Sequence, residues 1–433
     1  MTSLHRPVWF NKLISTRRSK VALAFGVTFT AIGIPAVAAY AALQNNPKAV
    51  LDQAWQIVDQ DYVDPSFNQV NWQSVRHDLL SKSYTSREAA YVALRDALKQ
   101  LNDPYTRFMD PKEFQAFRNE TNGELTGVGM QLTVDKETQV LTVVKPIENS
   151  PALRAGIQAG DKILQIDGKS TTGMTVETAA GLIRGEPNTQ VRIQIQHQDA
   201  TPYEVNLTRA RIQVPVVQSA VRTESQQRIG YIRLGEFSAH AADEMKKAIE
   251  QLEGQKVDKF VLDLRGNPGG RLDQAIEIAR MWLNDGGIVR TVNRQGESNT
   301  IEANHTALTE LPLAVLVDGN SASASEILAG ALKDDNRAVV VGSQTFGKAL
   351  VQSVNPLLDG SGLNVTIAHY FTPAGLDINH KGITPDVVAN LTDEQKKELF
   401  SNPDRLGTSQ DPQYLQAIGQ LTRSVAAVST PGQ

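Results

Sequence analysis

The sequence predicts a multidomain α/β protein in three structured parts: a helical N-terminal segment, a small β-rich domain and a larger core of alternating strands and helices. Three observations carry this reading. At 433 residues the chain is too long for one ordinary core. The hydrophobic period changes along it, from helical spacing in 45–120, to short alternation in 121–205, to near-continuous apolar strands divided by amphipathic helices in 206–400. The composition, 41% hydrophobic and 21% charged, lies near the globular average and excludes wholesale disorder or a polytopic membrane protein.

Residues 1–44 stand apart. Arg6, Lys12, Arg17, Arg18 and Lys20 precede the apolar run from Val21 to Ala42, and no acidic residue occurs among them. This pattern is that of an export signal, with small-x-small cleavage sites at Ala36-Val37-Ala38 or Ala39-Tyr40-Ala41. An uncleaved anchor is the alternative, since the run is nearly long enough to span a bilayer; this segment would then be the only membrane contact. Arg17-Arg18 also resembles a twin-arginine signal. Removal of the five cations takes the formal charge from -4 to about -9, which argues against a nucleic-acid partner. The absence of cysteine excludes disulfides, thiolate metal sites and a Cys nucleophile.

Within 45–120, Val50, Leu51, Ala54, Trp55 and Val58 follow helical spacing between Lys48 and Val63. Thr85-x-x-Glu88 reads as a capping box for a second helix through Leu101, and Asn102-Asp103-Pro104 ends it. From 121 to 205 the alternating stretches 141–144, 162–166 and 191–195 are separated by glycine-bearing turns, with one helix from Thr175 to Arg184. Gly127-Val128-Gly129-Met130 stands before a strand, and Ser150-Pro151-Ala152 is followed by Ala155-Gly156-Ile157 and Gly160-Asp161. In this order the elements resemble a PDZ domain, which implies that the 127–130 loop offers backbone N–H groups to a peptide's terminal carboxylate.

The core is expected to contain strands at 229–234, 259–264, 313–317 and 338–342, with a helix over 242–252. Residues 401–433 are polar without a clear period and read as a flexible tail. Three stretches of the core carry chemistry. The first, from Leu316 to Ile327, runs from a buried strand through a small-residue turn into a helix. A serine there either caps the helix, as Ser323-x-x-Glu326 allows, or presents a hydroxyl beside free N–H groups. In the second, Thr345-Phe346-Gly347-Lys348-Ala349-Leu350, a lysine lies among apolar residues, where burial penalises the ammonium and makes a neutral base available. The third, Asp263-Leu264-Arg265-Gly266-Asn267-Pro268-Gly269-Gly270, opens from a strand through glycines into a helix, and such a junction can aim amides at an oxyanion.

These stretches, in this order and behind a PDZ-like segment, closely resemble the carboxyl-terminal processing (tail-specific) peptidases, of cyanobacterial or bacterial type, over roughly residues 50 to 390. The resemblance implies a crotonase/Clp-like α/β peptidase core. It makes Ser323 the nucleophile, Lys348 its general base and Gln352, one helical turn later, the residue that orients the amine. Gly269 and Ala324 would form the oxyanion hole, and Gly127, Val128, Gly129 and Met130 the tail-binding loop. Ser321 and Ser325 are the neighbouring alternatives. The implied partners are exported proteins or peptides with free C-termini, in a periplasm or thylakoid lumen, and no cofactor or metal is required.

Two departures stand out: Ala349 follows the lysine where the family usually has glycine, and Arg271 replaces an aliphatic residue. Histidine catalysis is the rival chemistry, with His77, His197, His240, His305, His369 and His380 available, none in a metal-binding spacing. An inactive PDZ adaptor and an acyl-CoA enzyme of crotonase type are the rival functions.

Overall fold

The computed structural model describes residues 46–135 and 137–428, so the export signal or anchor expected over 1–44 lies outside the described residues. Among the described residues no helix is long and apolar enough to cross a membrane.

Helices α1 (Pro47–Asp61), α2 (Trp72–Ser81) and α3 (Arg87–Lys99) form the N-terminal segment. The stripe of Val50, Leu51, Ala54, Trp55 and Val58 buries one face of α1 against Trp72, Val75 and Leu79 of α2 and Leu94 and Leu98 of α3. The cap of α3 falls one residue later than expected: Ser86, not Thr85, accepts from Ala89 N–H at 3.1 Å. Ser86 is the residue with extended backbone, and that geometry turns its hydroxyl toward the free amides of the first turn. A short strand, β1 (Arg107–Met109), and α4 (Pro111–Thr121) follow.

The β-rich domain contains β2 (Glu124–Gly127), β3 (Met130–Val134), β4 (Leu141–Pro146), α5 (Pro151–Arg154), β5 (Lys162–Ile166), β6 (Lys169–Ser170), α6 (Val176–Ile183), β7 (Gln190–Gln196), β8 (Tyr203–Thr208) and β9 (Ala210–Gln213). Its antiparallel sheet has the order β3-β4-β5-β7-β8, and β2 pairs separately with β9 as the ribbon through which the chain enters and leaves. Val128, Leu141, Val143, Ile163, Ile193 and Ile195 fill its core. β3 is an edge strand, which leaves one row of backbone groups open to an added strand.

The core holds β10 (Val217–Glu224), β11 (Gln227–Leu234), α7 (Ala241–Gly254), β12 (Lys259–Asp263), α8 (Leu272–Trp282), β13 (Gly287–Asn293), β14 (Ser298–Glu302), β15 (Leu313–Val317), α9 (Ala324–Asp334), β16 (Ala338–Gly342), β17 (Leu350–Pro356), β18 (Gly362–Phe371) and β19 (Val387–Val388). Its main sheet, β10-β11-β12-β15-β16-β19, is parallel from β11 onward, with β10 antiparallel at the edge. Strand alternation divides each strand between two covers: Phe260 and Leu262 face α7, α8 and α9, while Val261 faces the chain after 390. That chain contains α10 (Asp393–Ser401) and α11 (Pro412–Val428).

The flexible tail expected at 401–433 is therefore corrected over its described residues: Leu406, Tyr414, Ala417 and Leu421 are buried against the sheet. Tyr414, Ala417 and Leu421 follow helical spacing along the buried side of α11, a short pattern interrupted by glutamine and glycine and easily missed in sequence. A second sheet was also not foreseen. It has the order β1-β18-β13-β14 with β17 against β18, all antiparallel, and Leu363 and Val365 of β18 join the core of the N-terminal helices.

Candidate active site

Among the three candidate serines, packing separates one from the others. Ser321 is fully buried and its Oγ donates to Leu264 O at 2.8 Å while accepting from Asp318 N–H at 2.9 Å. Ser325 is equally buried and its Oγ donates to Asn267 O at 2.9 Å. Both are structural hydrogen-bonding groups. Ser323 is the half-exposed one, at the N-cap of α9, and its backbone sits at φ 54°, a left-handed conformation that a non-glycine residue adopts at a cost.

What holds Ser323 there is Glu326, whose side chain is completely buried. Its Oε2 accepts from Ser323 N–H at 2.8 Å and from Lys348 N–H at 2.9 Å; its Oε1 accepts from Thr345 Oγ at 2.6 Å and Gly347 N–H at 2.7 Å. The Ser-x-x-Glu spacing thus does more than cap a helix: one carboxylate ties the backbone of Ser323 to that of Lys348. Tyr370 adds a second tie. Its hydroxyl lies within hydrogen-bond distance of both the Ser323 and the Lys348 carbonyls, and its O–H serves one at a time.

Lys348 is half-buried in the loop between β16 and β17. Burial pushes its amine below the ordinary lysine value, and nearby Arg107 pushes the same way; Asp103 and Glu326 oppose them. Among the described residues no hydrogen bond reaches Lys348 Nζ, which instead lies 4.3 Å from the centre of the Tyr105 ring. Ala349 is buried and lies outside the left-handed region, so the extra methyl group relative to glycine is accommodated without backbone strain. Gly347, at φ 90°, does need to be glycine, since a Cβ would lie 2.7 Å from Lys381 N.

One expectation of geometry is corrected here. Gln352 does not lie one helical turn from Lys348; it lies in β17, with a register shift between Val351 and Gln352, and its Nε2 is 3.5 Å from Thr366 Oγ. The 350–356 stretch, with Val351 and Val354 and a proline at its end, pairs with β18 instead of coiling. The Gly269 N–H, expected to face an oxyanion, donates to Asn267 Oδ1 at 2.9 Å. Gly269 itself is in place. At φ 101° a Cβ on it would meet Ala322 O at 2.6 Å, Ser323 Cβ at 2.9 Å and Ala324 N at 3.0 Å, so only glycine allows the loop to approach the serine turn. Ala324 N–H has no hydrogen-bond partner among the described residues.

Sequence reasoning missed the buried network behind this loop. Arg265 is fully buried, donating from Nε and Nη2 to Asp263 at 2.9 and 2.6 Å and from Nη1 and Nη2 to Asp411 at 3.0 and 2.6 Å. Gln413 Oε1 accepts from Nη1 at 2.9 Å, and Tyr231 Oη donates to Asp263 at 2.6 Å. The signal was present: Asp263 and Arg265 are charges that directly follow or interrupt the apolar run Phe260-Val261-Leu262 and Leu264. Arg271, the other departure, pairs with Asp273 at the start of α8. None of the histidines in the described residues hydrogen-bonds to Ser323 or Lys348 side chains; His197 pairs with Asp161 in the β-rich domain and His305 with Asp285. Among the described residues no cluster of acidic or histidine side chains is arranged to hold a metal ion.

In the β-rich domain, Gly127 closes β2, Val128 is buried, Gly129 has φ 77° and Met130 opens β3. The Val128 carbonyl accepts from Ala152 N–H at 2.8 Å, and Gly129 O accepts from Ile147 N–H at 3.0 Å and Ser150 Oγ at 2.9 Å. The loop is thus fixed through its carbonyls.

The sequence matches the peptidase family S41 over residues 228–389 and the PDZ domain over residues 142–197. It is 44% identical over 378 residues to the carboxyl-terminal-processing protease of Picosynechococcus sp., covering 87% of this chain and 90% of that protein. Identity to the carboxyl-terminal-processing protease of Synechocystis sp. is 42% over 394 residues, covering 89% and 91%. Among solved structures, a photosystem II D1 C-terminal processing protease is similar, with a TM-score of 0.56 and 35% identity, covering 85% of this chain and 99% of that one. Fold and likeness together define a serine-type endopeptidase built from a helical N-terminal region, a PDZ domain and a mixed α/β core. The chain belongs to the carboxyl-terminal-processing proteases of peptidase family S41.

Proposed function

We propose that this protease cleaves exported proteins near their C-termini through an acyl-enzyme on Ser323, with Lys348 as general base. The observation that carries the pairing is the shared carboxylate of Glu326, whose single Oε2 accepts from both residues' N–H groups. Neutral Lys348 takes the Ser323 proton as Oγ attacks the peptide carbonyl. The C–N bond then breaks, and the lysine ammonium gives its proton to the departing amine. Water, deprotonated by the same amine, attacks the ester, releasing the new carboxyl terminus and Ser323. Ala324 N–H is the available oxyanion donor; Gly269 N–H joins it on exchanging Asn267 Oδ1 for the oxyanion. Gln352, which lies in β17 with its Nε2 3.5 Å from Thr366 Oγ, is assigned the orienting of the Lys348 amine.

The decisive experiment is Lys348→Arg, whose guanidinium stays charged at every working pH. Cleavage of an unstructured protein should fall at least a thousandfold with folding retained, and near-parental cleavage would remove Lys348 from the mechanism. Ser323→Ala should retain bound substrate tails that mass spectrometry identifies.

Tail selection is assigned to the loop of Gly127, Val128, Gly129 and Met130, beside the open edge of β3. Amidation of a peptide substrate's C-terminus removes the charge its N–H groups would meet. Charge-assisted hydrogen bonds are worth about 1.5–3 kcal/mol, so kcat/KM should fall about ten- to a hundredfold. Equal cleavage of acid and amide peptides would refute tail recognition here. Export through residues 1–44 to a periplasm or lumen completes the reading and is checked by fractionation and N-terminal sequencing of the mature protein.

A further inference from the structure

The reaction needs Ser323, Lys348 and an oxyanion site, all of which come from the core. Yet an aromatic partner of the Lys348 amine comes from the N-terminal segment. Tyr105 lies in the turn between α3 and β1, and its ring centre is 4.3 Å from Nζ, well inside the range at which an ammonium is attracted by an aromatic face. The turn that carries it is stapled on both sides. Asp103 accepts from Tyr105 N–H at 2.9 Å and from Thr106 Oγ at 2.7 Å, and Thr106 Oγ accepts from Thr366 N–H of β18 at 3.0 Å. Pairing of β1 with β18, Arg107 opposite Asn364, fixes the register of this turn against the strand that also carries Tyr370.

We propose that Tyr105 is a positioning residue for the general base: its ring holds the Lys348 amine between turnovers and sets the direction from which it reaches Ser323. This inference rests on Lys348 being the base. The attraction is to the ammonium and is largely lost by the neutral amine, so proton loss and release from the ring occur together, freeing the amine to turn to the serine. The ring therefore favours the protonated form, alongside Asp103 and Glu326 and against burial and Arg107. Tyr370 Oη meets the Lys348 carbonyl and not its amine. The N-terminal helical segment is thereby part of the active site and not an appendage to it.

The test uses the whole chain with Tyr105→Phe, Tyr105→Leu and Tyr105→Trp. The pH dependence of Lys348 acetylation by acetic anhydride is read by mass spectrometry of the Lys348 peptide, in parallel with kcat and KM on an unstructured protein. At a pH on the rising limb, Tyr105→Leu should be acetylated about two- to tenfold faster than the parent, because the ammonium has lost its partner. Its plateau kcat should fall about three- to tenfold with KM within twofold, because the lysine chain is less preorganised. Tyr105→Phe keeps the ring and should restore both. Should Tyr105→Leu not fold, Tyr105→Trp decides: the larger π face must slow acetylation at the same pH. Unchanged acetylation profiles in folded Leu or Trp variants would overturn the proposal. A shifted profile together with an active Lys348→Arg enzyme would instead overturn the base assignment and leave the ring contact standing.

Discussion

Two buried charged clusters stand at the carboxyl ends of the core strands, and they are built on opposite plans. Glu326 has no cation: its carboxylate is surrounded by three backbone N–H groups and one hydroxyl, all from residues 323–348. Arg265 is a cation clasped by two carboxylates, one of which, Asp411, is 146 residues away in sequence. The first cluster fixes the relative placement of the Ser323 and Lys348 backbones and leaves a negative charge that Lys348 feels. The second joins the start of the 266–270 loop to the C-terminal segment, and Asp411 also accepts from Gly407 N–H at 3.0 Å. A buried carboxylate satisfied by N–H dipoles positions its donors, whereas one satisfied by an ion pair ties distant segments together.

The largest effect expected from this contrast is on stability. Arg265→Met leaves Asp263 and Asp411 buried without their cation, and removal of one partner from a buried pair costs about 3–5 kcal/mol. Burial alone would raise the Asp263 carboxyl, but Arg265 holds it below the usual carboxylate range. A depressed carboxyl stabilises the fold above its unfolded value and loses that contribution as pH falls through the folded one. The gap between parent and variant in urea unfolding should therefore be widest near pH 7 and narrow on acidification below about pH 4. A gap independent of pH would mean that the arginine contributes by packing and not by charge.

Glu326→Gln probes the other cluster, and there the larger loss should be in rate. The amide turns an –NH2 toward donors that need an acceptor, which costs about 1–3 kcal/mol and loosens Ser323 or Lys348. The expected kcat falls about a hundredfold with KM within about twofold, measured on the folded protein. Should the variant lose stability alone while kcat holds, the two clusters would be of one kind.

Sequence and structure agree most closely where burial is two-sided. The strands 313–317 and 338–342 were legible to the residue because a continuous apolar run ended by polar or glycine residues marks the extent of a strand buried on both faces. The order of motifs singled out the serine turn and the lysine loop, and the structure ties their backbones together through Glu326. What was not legible depends on pairing across long separations: Arg265 with Asp411, the β17–β18 hairpin that takes Gln352 out of any helix, and the turn that delivers Tyr105. The choice among Ser321, Ser323 and Ser325 also needed the fold, since all three are serines in one small-residue turn and only their partners differ.

The smallest effect tests whether the charge balance around Lys348 extends past the Glu326 cluster. Arg107 is solvent-exposed on β1, and its cation favours the neutral amine, as burial does more strongly. Replacing it by glutamine removes a positive neighbour, so the ammonium becomes easier to keep and less base is present at a given pH. With Lys348 as the proposed base, kcat/KM should fall on the rising limb of its pH profile and converge with the parent on the plateau, where the amine is neutral in both. Exposed charges are worth little, so the deficit should be about two- to threefold at low ionic strength. It should shrink as salt is raised, because screening shortens the reach of a surface cation while leaving burial untouched. A deficit that persists unchanged in high salt, or that lowers the plateau as well, would place Arg107 in contact with substrate. The charge of β1 would then act on the tail being cut and not on the base.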